Sequence, residues 1–215
     1  MLFRSTLFLY AEPELPPGIR RLPGELPPAD YARAGVTHVV NAPSNPPGWT
    51  AGKWGEWYPD VLGPDKKLTI QTPKPYWNSG WLKQHDRIMA AMSAMSDRSP
   101  LVISGDMHAI AIGKMLRSGP SEFTRNPITV ALSGTGGTRP LGWPSAGFRG
   151  TPATPSQVLD FVEEVKPLEL HGFTLVDFTP DKMVLQQFSW DVKSQSVEAI
   201  DTLQPFHTAE LPRPA

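Results

Sequence analysis

The feature that most constrains this chain is a short apolar run that ends at a glycine and is followed by a carboxylate and an imidazole. Residues 101–104 read Leu-Val-Ile-Ser between Pro100 and Gly105, and Asp106 and His108 follow. A run of this composition with such borders predicts a strand buried on both faces. Open α/β sheets bind ligands beyond the carboxyl ends of their strands. The pattern therefore predicts a sheet whose edge presents Asp106 and His108.

These two side chains are candidate metal ligands. If the backbone stays extended through Met107, Asp106 and His108 project to the same side and offer an oxygen and a nitrogen to one cation. Because the motif is so short, a second interpretation stays open, in which Asp106 caps the next turn and His108 bonds to backbone. Asn41 also ends an apparent strand, where its amide oxygen either ligates a metal or substrate oxygen or shapes a turn before Pro43.

Composition narrows the classes of function. The 215 residues are enough for one well-buried domain, and 20 basic residues against 21 acidic ones create no field that attracts nucleic acid or an anionic membrane. The chain has no cysteine, so any metal must be held by oxygen and nitrogen. No apolar run approaches the roughly 20 residues that span a bilayer. Residues 1–11 do not form a convincing secretory signal and are expected to be an ordinary strand or a ragged terminus. The cellular location therefore stays open.

The order of predicted elements indicates layered α/β architecture. A helix over 79–95 carries an apolar stripe with several methionines and leads into the strand at 101–104. Further strands are predicted over 36–42 and 128–132, as a hairpin of 168–178 with 183–190, and over 197–203. We expect residues 1–35 to form a proline-rich arm, 36–205 a single domain and 206–215 a tail.

Two loops allow competing interpretations. Five of the seven tryptophans fall between Trp49 and Trp81, where they either pin a long loop to the body or wall a pocket for sugar or base rings. Residues 133–139 are rich in glycine and end in Arg139, so they either present amides and a guanidinium to a phosphate or form a plain flexible turn. The Gly-Lys-Ser/Thr ending of a nucleotide loop is missing, which favours the turn. The remaining histidines are expected to be structural: His38, His85, His171 and His207.

Three blocks of the chain resemble the C-terminal half of PhoD-like alkaline phosphatases, a branch of the calcineurin-like metallophosphoesterases. Asn41-Ala42-Pro43 is similar to the strand end where the superfamily has His-x-Pro, with asparagine in place of the ligand histidine. The block from Ser104 to His108 resembles the Ser-Gly-Asp-x-His of this branch. Residues 171–181 are similar to the family's closing strand and turn. The resemblance covers about residues 36–190.

The resemblance implies an α/β (α+β) layered fold, a partial metallophosphoesterase-like β-sandwich flanked by helices. It implies that His108 ligates one ion of a dinuclear centre of divalent or trivalent metal ions, with Asp106 in support and Asn41 near the other ion. Arg139 is a candidate for gripping the phosphate. The implied reaction is hydrolysis of a small phosphate-ester substrate by metal-activated water.

The chain also departs from the family. Members take further ligands from an N-terminal half with Asp-x-His, Gly-Asp-x-x-Asp and Gly-Asn-His blocks, and none of these occurs in residues 1–35. We therefore expect a truncated member, a degenerate relative, or a half whose N-terminal partner is another polypeptide. The alternative function is a non-catalytic binding or structural module that uses the tryptophan-rich loop to contact a glycan or a protein.

Overall fold

The computed structural model describes residues 7–9, 37–43, 47–50, 61–62, 64–65, 68–69, 81–136 and 153–214. Of these residues, 49 % lie in strands, so the fold is β-rich. None of the helices in these ranges is both long enough and apolar enough to cross a membrane.

The described residues form fourteen strands, one α-helix and two 3₁₀ turns. In chain order the strands are β1 (Leu7–Leu9), β2 (Val40–Ala42), β3 (Trp49–Thr50), β4 (Val61–Leu62), β5 (Leu68–Thr69), β6 (Leu101–Ser104), β7 (Ile110–Ser118), β8 (Ser121–Glu122), β9 (Ile128–Ser133), β10 (Thr154–Pro155), β11 (Leu159–Leu168), β12 (His171–Phe178), β13 (Lys182–Trp190) and β14 (His207–Pro212). The helix α1 is Trp81–Ser93, and the 3₁₀ turns are Asp106–His108 and Val197–Thr202.

Two sheets make up most of this part of the chain. The larger has seven strands in the order β1-β2-β6-β9-β7-β11, with β8 paired to β7. Its central strands β2, β6 and β9 are parallel, whereas β7 runs antiparallel to β9 and β11 antiparallel to β7. The smaller sheet is the antiparallel series β12-β13-β14. Two short ribbons, β3 with β10 and β4 with β5, complete the described pairings.

The seven-stranded sheet is covered on both faces because its strands alternate apolar side chains to each side. On one face, Val102 packs in a cluster with Met89 and Met92 of α1. On the other face, Leu101 packs in a second cluster with Met183 and other residues of the three-stranded sheet. The result is a helix, a large sheet and a small sheet in successive layers.

Several elements agree with the sequence-based predictions. The strands at 101–104 and 128–132 are confirmed, as is the hairpin of β12 and β13, whose turn has the Thr179 amide donating to the Lys182 carbonyl oxygen. The helix is confirmed over Trp81–Ser93, and the methionines of its stripe are buried. Of the expected fold class, the β-rich character is confirmed.

Two predictions about local structure are wrong. Residues 197–202 form a 3₁₀ turn instead of a strand, and residues 207–212, expected in a tail, form β14. Residues 7–9 pair with β2, in agreement with the expectation of a strand within residues 1–11. The rest of 1–35 lies outside the described residues. The long strands β7 and β11 were not predicted, because their glycine, charged residues and proline interrupt the apolar pattern.

Candidate functional site

Three parallel strands end at one edge of the seven-stranded sheet. The ladders pair Asn41 of β2 with Val102 of β6, and Ser104 of β6 with Leu132 of β9. Parallel neighbours have their carboxyl ends at the same edge, so the segments that follow them are close in space. We call this the carboxyl-terminal edge, and it comprises residues 41–43, 104–109 and 133–135.

The chain leaves β6 through the 3₁₀ turn Asp106–His108, which contains two strained residues. Met107 has a φ of 68° and His108 a φ of 51°, so two successive non-glycine residues adopt the left-handed conformation. Each such residue costs about 1–3 kcal/mol and persists only where its surroundings hold it, often at a functional site. The expectation of an extended backbone through Met107 is therefore wrong, and the argument that Asp106 and His108 project to the same side falls with it.

Burial explains how this turn is held. The Met107 side chain is completely buried in the cluster on the α1 side of the sheet, together with Val102 and Leu132. His108 is only partly buried, and the side chain of Asp106 lies outside the description. A buried anchor directly before a partly buried histidine fixes the backbone of the turn at the carboxyl-terminal edge.

Hydrogen bonds tie the end of β9 to its neighbours. The Ser133 hydroxyl donates to the Ser104 carbonyl oxygen at 3.3 Å, and the Thr174 hydroxyl of the smaller sheet donates to the Ser133 carbonyl oxygen at 3.3 Å. The Gly134 amide donates to the Ala109 carbonyl oxygen at 3.1 Å. These bonds fix both sides of the turn that carries His108.

Residue 134 has to be a glycine. Its φ is 96°, and a Cβ atom there would lie 2.6 Å from the carbonyl oxygen of Gly172. Any side chain would therefore be strained and would push β12 away. The glycine lets the smaller sheet approach the carboxyl-terminal edge closely.

Asn41 is the middle residue of the three-residue strand β2 and carries a buried amide oxygen. Its side chain is 3 % exposed, and its Oδ1 atom has no hydrogen-bond partner among the described residues. Burying an acceptor without a hydrogen bond costs about 1–3 kcal/mol of folding free energy. A cation or a hydrogen-bond donor bound beside the Asn41 oxygen would explain why this cost is tolerated. Since Asn41 pairs with Val102, it lies on the α1 side of the sheet, the side on which Met107 is buried.

His171 also lies at this edge, although sequence reasoning assigned it a structural role. It forms an isolated parallel bridge with Thr135, and the next amide, that of Gly172, donates to the Thr135 carbonyl oxygen at 3.1 Å. His171 is buried, with its ring centroid 6.1 Å from that of Trp190. The sequence does show a histidine opening the closing block, but no local pattern brings residue 171 to residue 135.

The other candidate residues lie elsewhere or outside the description. Arg139 is not among the described residues, so its contact with phosphate stays a prediction. His38 is buried, and its Nε2 is hydrogen-bonded to the Thr179 carbonyl oxygen. His85 is near Ser118, where β7 ends on the edge opposite the carboxyl-terminal edge.

The donor atoms at the carboxyl-terminal edge are of types that bind metal ions, but there are few of them. An imidazole nitrogen from His108 and an amide oxygen from Asn41 are ligand types that borderline and hard cations accept. Within the described ranges there is no group of three or more His, Cys, Asp or Glu side chains arranged to hold a metal. A complete ligand set therefore needs further donors, of which the Asp106 carboxylate is the nearest in sequence.

Comparison with known proteins adds no relative: no family model, no curated protein and no solved structure matches this chain.

Proposed function

We propose that this chain takes part in metal-dependent hydrolysis of phosphoric esters, as a member of the PhoD-like branch of the calcineurin-like metallophosphoesterases. The observation that carries the proposal is the left-handed pair Met107 and His108 at the carboxyl end of a buried parallel strand. The strained turn follows β6, the neighbour of β2, where Asn41 Oδ1 has no hydrogen-bond partner within the described part of the chain. Strain and an unsatisfied buried acceptor on adjacent strand ends are typical of a ligand site.

The layers of the fold support this family assignment. A large sheet with a smaller antiparallel sheet on one face and a helix on the other is consistent with a partial metallophosphoesterase-like β-sandwich flanked by helices. The block of residues 104–108 crosses from β6 to β7 at the edge where such a fold would place its metals.

The residues at the carboxyl-terminal edge would have distinct roles in this reaction. His108 would hold one metal ion through an imidazole nitrogen, and the oxygen of Asn41 would face a second ion or its water. Asp106 would support the same centre. When bound, divalent or trivalent ions acidify water and polarise phosphoryl oxygens, which is the chemistry that ester hydrolysis needs. Met107 and Ser133 would keep the backbone of the turn rigid, so that His108 stays oriented.

Metal content and ester hydrolysis test this proposal together. The untagged protein is stripped with a chelator, reloaded separately with Mn²⁺, Fe³⁺, Zn²⁺ or Ca²⁺, and assayed with p-nitrophenyl phosphate and bis(p-nitrophenyl) phosphate. We expect hydrolysis only after reloading, and we expect His108→Ala to lower kcat/KM by about 100-fold or more because a ligand is lost.

A matched variant controls for general damage to the fold. Glu122→Gln changes an exposed side chain of β8, next to the end of β7 that is remote from the carboxyl-terminal edge, so it should retain both metal and activity. If wild-type protein binds none of these metals and hydrolyses neither ester, or if His108→Ala is as active as Glu122→Gln, the proposal is wrong.

The alternative of a glycan-binding module gains no support from Trp49. This side chain is completely buried, packs edge-on against Phe161 with ring centroids 4.8 Å apart, and donates from Nε1 to Glu163 Oε1 at 2.9 Å. It therefore pins its segment to the seven-stranded sheet, as the first of the two sequence interpretations predicts. The side chains of the other four tryptophans in that stretch lie outside the described residues.

A further inference from the structure

A second set of polar side chains lies between the two sheets. Gln187 of β13 is completely buried, and its Nε2 donates to the Ala111 carbonyl oxygen of β7 at 3.0 Å. A carbonyl oxygen only accepts, so the amide nitrogen of Gln187 must face Ala111 and the amide oxygen must face elsewhere. Gln187 Oε1 has no hydrogen-bond partner among the described residues.

The residue paired with Gln187 in the next strand also has a buried side-chain atom without a hydrogen-bond partner among the described residues. In the β13–β14 ladder, His207 is the partner of Gln187, and partners of this kind project to one face with Cβ atoms about 4.5–5.5 Å apart. His207 Nε2 is buried and also lacks a hydrogen-bond partner within the described ranges. On the other side of Gln187, Thr174 already donates its only hydroxyl hydrogen to the Ser133 carbonyl oxygen. Among the described residues, a buried oxygen and a buried nitrogen on two paired residues thus lack a hydrogen-bond partner.

A carboxylate from the larger sheet approaches the same place. Glu164 Oε2 lies 3.9 Å from His207 Nε2, while Glu164 Oε1 forms an ion pair with Lys114 Nζ at 3.0 Å. Glu164 sits where the β11–β7 ladder shifts register, which frees its side chain from regular pairing. A cation about 2.1 Å from both donors at a tetrahedral angle would hold them about 3.4 Å apart, so the observed 3.9 Å would have to shorten by about 0.5 Å.

We propose that Gln187 Oε1, His207 Nε2 and Glu164 Oε2 bind one divalent transition-metal cation, with Zn²⁺ as the probe. The imidazole nitrogen selects a borderline cation over Ca²⁺ or Mg²⁺, which prefer sets made only of oxygen. One water completes a tetrahedral site around three protein donors. The third donor is an amide oxygen, in keeping with the finding that no three His, Cys, Asp or Glu side chains form a metal group in the described part of the chain.

The cation would clamp β11 of the larger sheet to β13 and β14 of the smaller one. This site shares no residue with the centre proposed at the carboxyl-terminal edge and does not depend on it. Lys114 weakens cation binding at this site, because its ammonium group competes with the cation for the charge of Glu164.

Zinc titration of the untagged, chelator-treated chain tests the site. We expect Zn²⁺ to bind by calorimetry and to raise the Tm, and we expect excess Ca²⁺ not to displace the Zn²⁺ equivalent that depends on His207. His207→Ala should remove one Zn²⁺ equivalent or weaken it by about tenfold or more, since one of three protein donors is lost. Lys114→Met, at a half-exposed position, should tighten the same Zn²⁺ by about three- to tenfold because a repelling charge is removed.

The variants also separate this site from the proposed catalytic centre. His108→Ala should leave the Zn²⁺ equivalent that depends on His207 in place, even if ester hydrolysis is lost or was never present. Equal Zn²⁺ binding by wild type and His207→Ala, or no Zn²⁺ binding at all, overturns the proposal. Should His207→Ala fail to fold, Lys114→Met decides alone, and an unchanged Zn²⁺ affinity in that variant overturns it.

Discussion

At residue 108 the backbone and the side chain make opposite demands. A φ of 51° favours glycine, which enters the left-handed region without steric cost, yet the chain has an imidazole there. The preceding residue, Met107, is equally strained, but its complete burial accounts for its identity. His108 is only partly buried, so packing gives no comparable reason for a histidine. A role for the imidazole group is therefore the better explanation for a histidine at this position.

This contrast predicts that His108→Gly does not destabilise the protein. Relief of the left-handed strain offsets the greater freedom of glycine in the unfolded chain, so the free energy of unfolding should stay the same or rise by about 1 kcal/mol. Any metal bound through residue 108 should be lost. Urea denaturation of the metal-free protein measures the first effect, and metal analysis measures the second.

Met107→Gly is the matched control, because it relieves the same kind of strain but deletes a buried side chain. It should lower the free energy of unfolding by about 2–4 kcal/mol. A loss of more than about 1 kcal/mol in His108→Gly would mean that the imidazole is needed for packing rather than for a ligand.

At the scale of elements, β14 shows how a core strand can be hidden in a proline-bearing segment. Ala209 and Leu211 are buried against the larger sheet, while Thr208 and Glu210 are exposed, which is the alternation of a strand with one buried face. Pro212 ends the strand, where the missing amide hydrogen does little harm. The prolines around it made this segment look like a tail in the sequence.

Leu211→Ala should therefore lower the free energy of unfolding by about 2–4 kcal/mol, since Leu211 is 5 % exposed and pairs with the buried Met183. Glu210→Ala removes an exposed ion pair with Lys182 and should change it by less than about 1 kcal/mol. Urea denaturation of both variants gives the comparison. Equal, small effects would mean that β14 does not contribute to the core.

At the scale of the whole molecule, a buried polar group links stability to pH. His85 of α1 lies 3.4 Å from the Ser118 hydroxyl, and that hydroxyl donates to Asp86 Oδ1 at 2.7 Å. Burial lowers the pKa of His85 to about 4. Burial raises the pKa of Asp86, although the hydrogen bond from Ser118 by itself lowers it. Titration of this carboxyl therefore favours the folded state as pH is lowered, which is opposite to the effect of His85.

The sign of the His85 effect follows from proton binding. The unfolded chain protonates His85 below about pH 6.5, but the folded protein does so only near pH 4, so the free energy of unfolding falls as pH is lowered between these values. The shift corresponds to about 3 kcal/mol across that window. His85→Leu should abolish this component while Asp86 titrates in both proteins. Urea denaturation at pH 7.5 and 4.5 tests it, and an unchanged pH dependence in His85→Leu would contradict it.

Sequence patterns predicted the elements whose signals are local. The run at residues 101–104, the stripe of α1 and the turn before β13 each carry their own periodicity or punctuation, and all three are present. The conformation of residues 106–108 was not predictable, because burial of Met107 on the α1 side forces left-handed angles that no local preference favours. Of the predicted site, the sequence placed Asn41 and His108 at strand ends but left the order of the strands open.

By itself, the sequence determined that this chain builds a β-rich core with polar residues where the strands end, because hydrophobic alternation and glycine or proline breaks act over a few residues. Only the tertiary structure decided which strand ends became neighbours, how His171 reached Thr135, and that Glu164 of the larger sheet approaches His207, the ladder partner of Gln187. Those contacts join strands far apart in sequence. Their formation depends on the packing of two sheets against each other, which no short window of residues encodes.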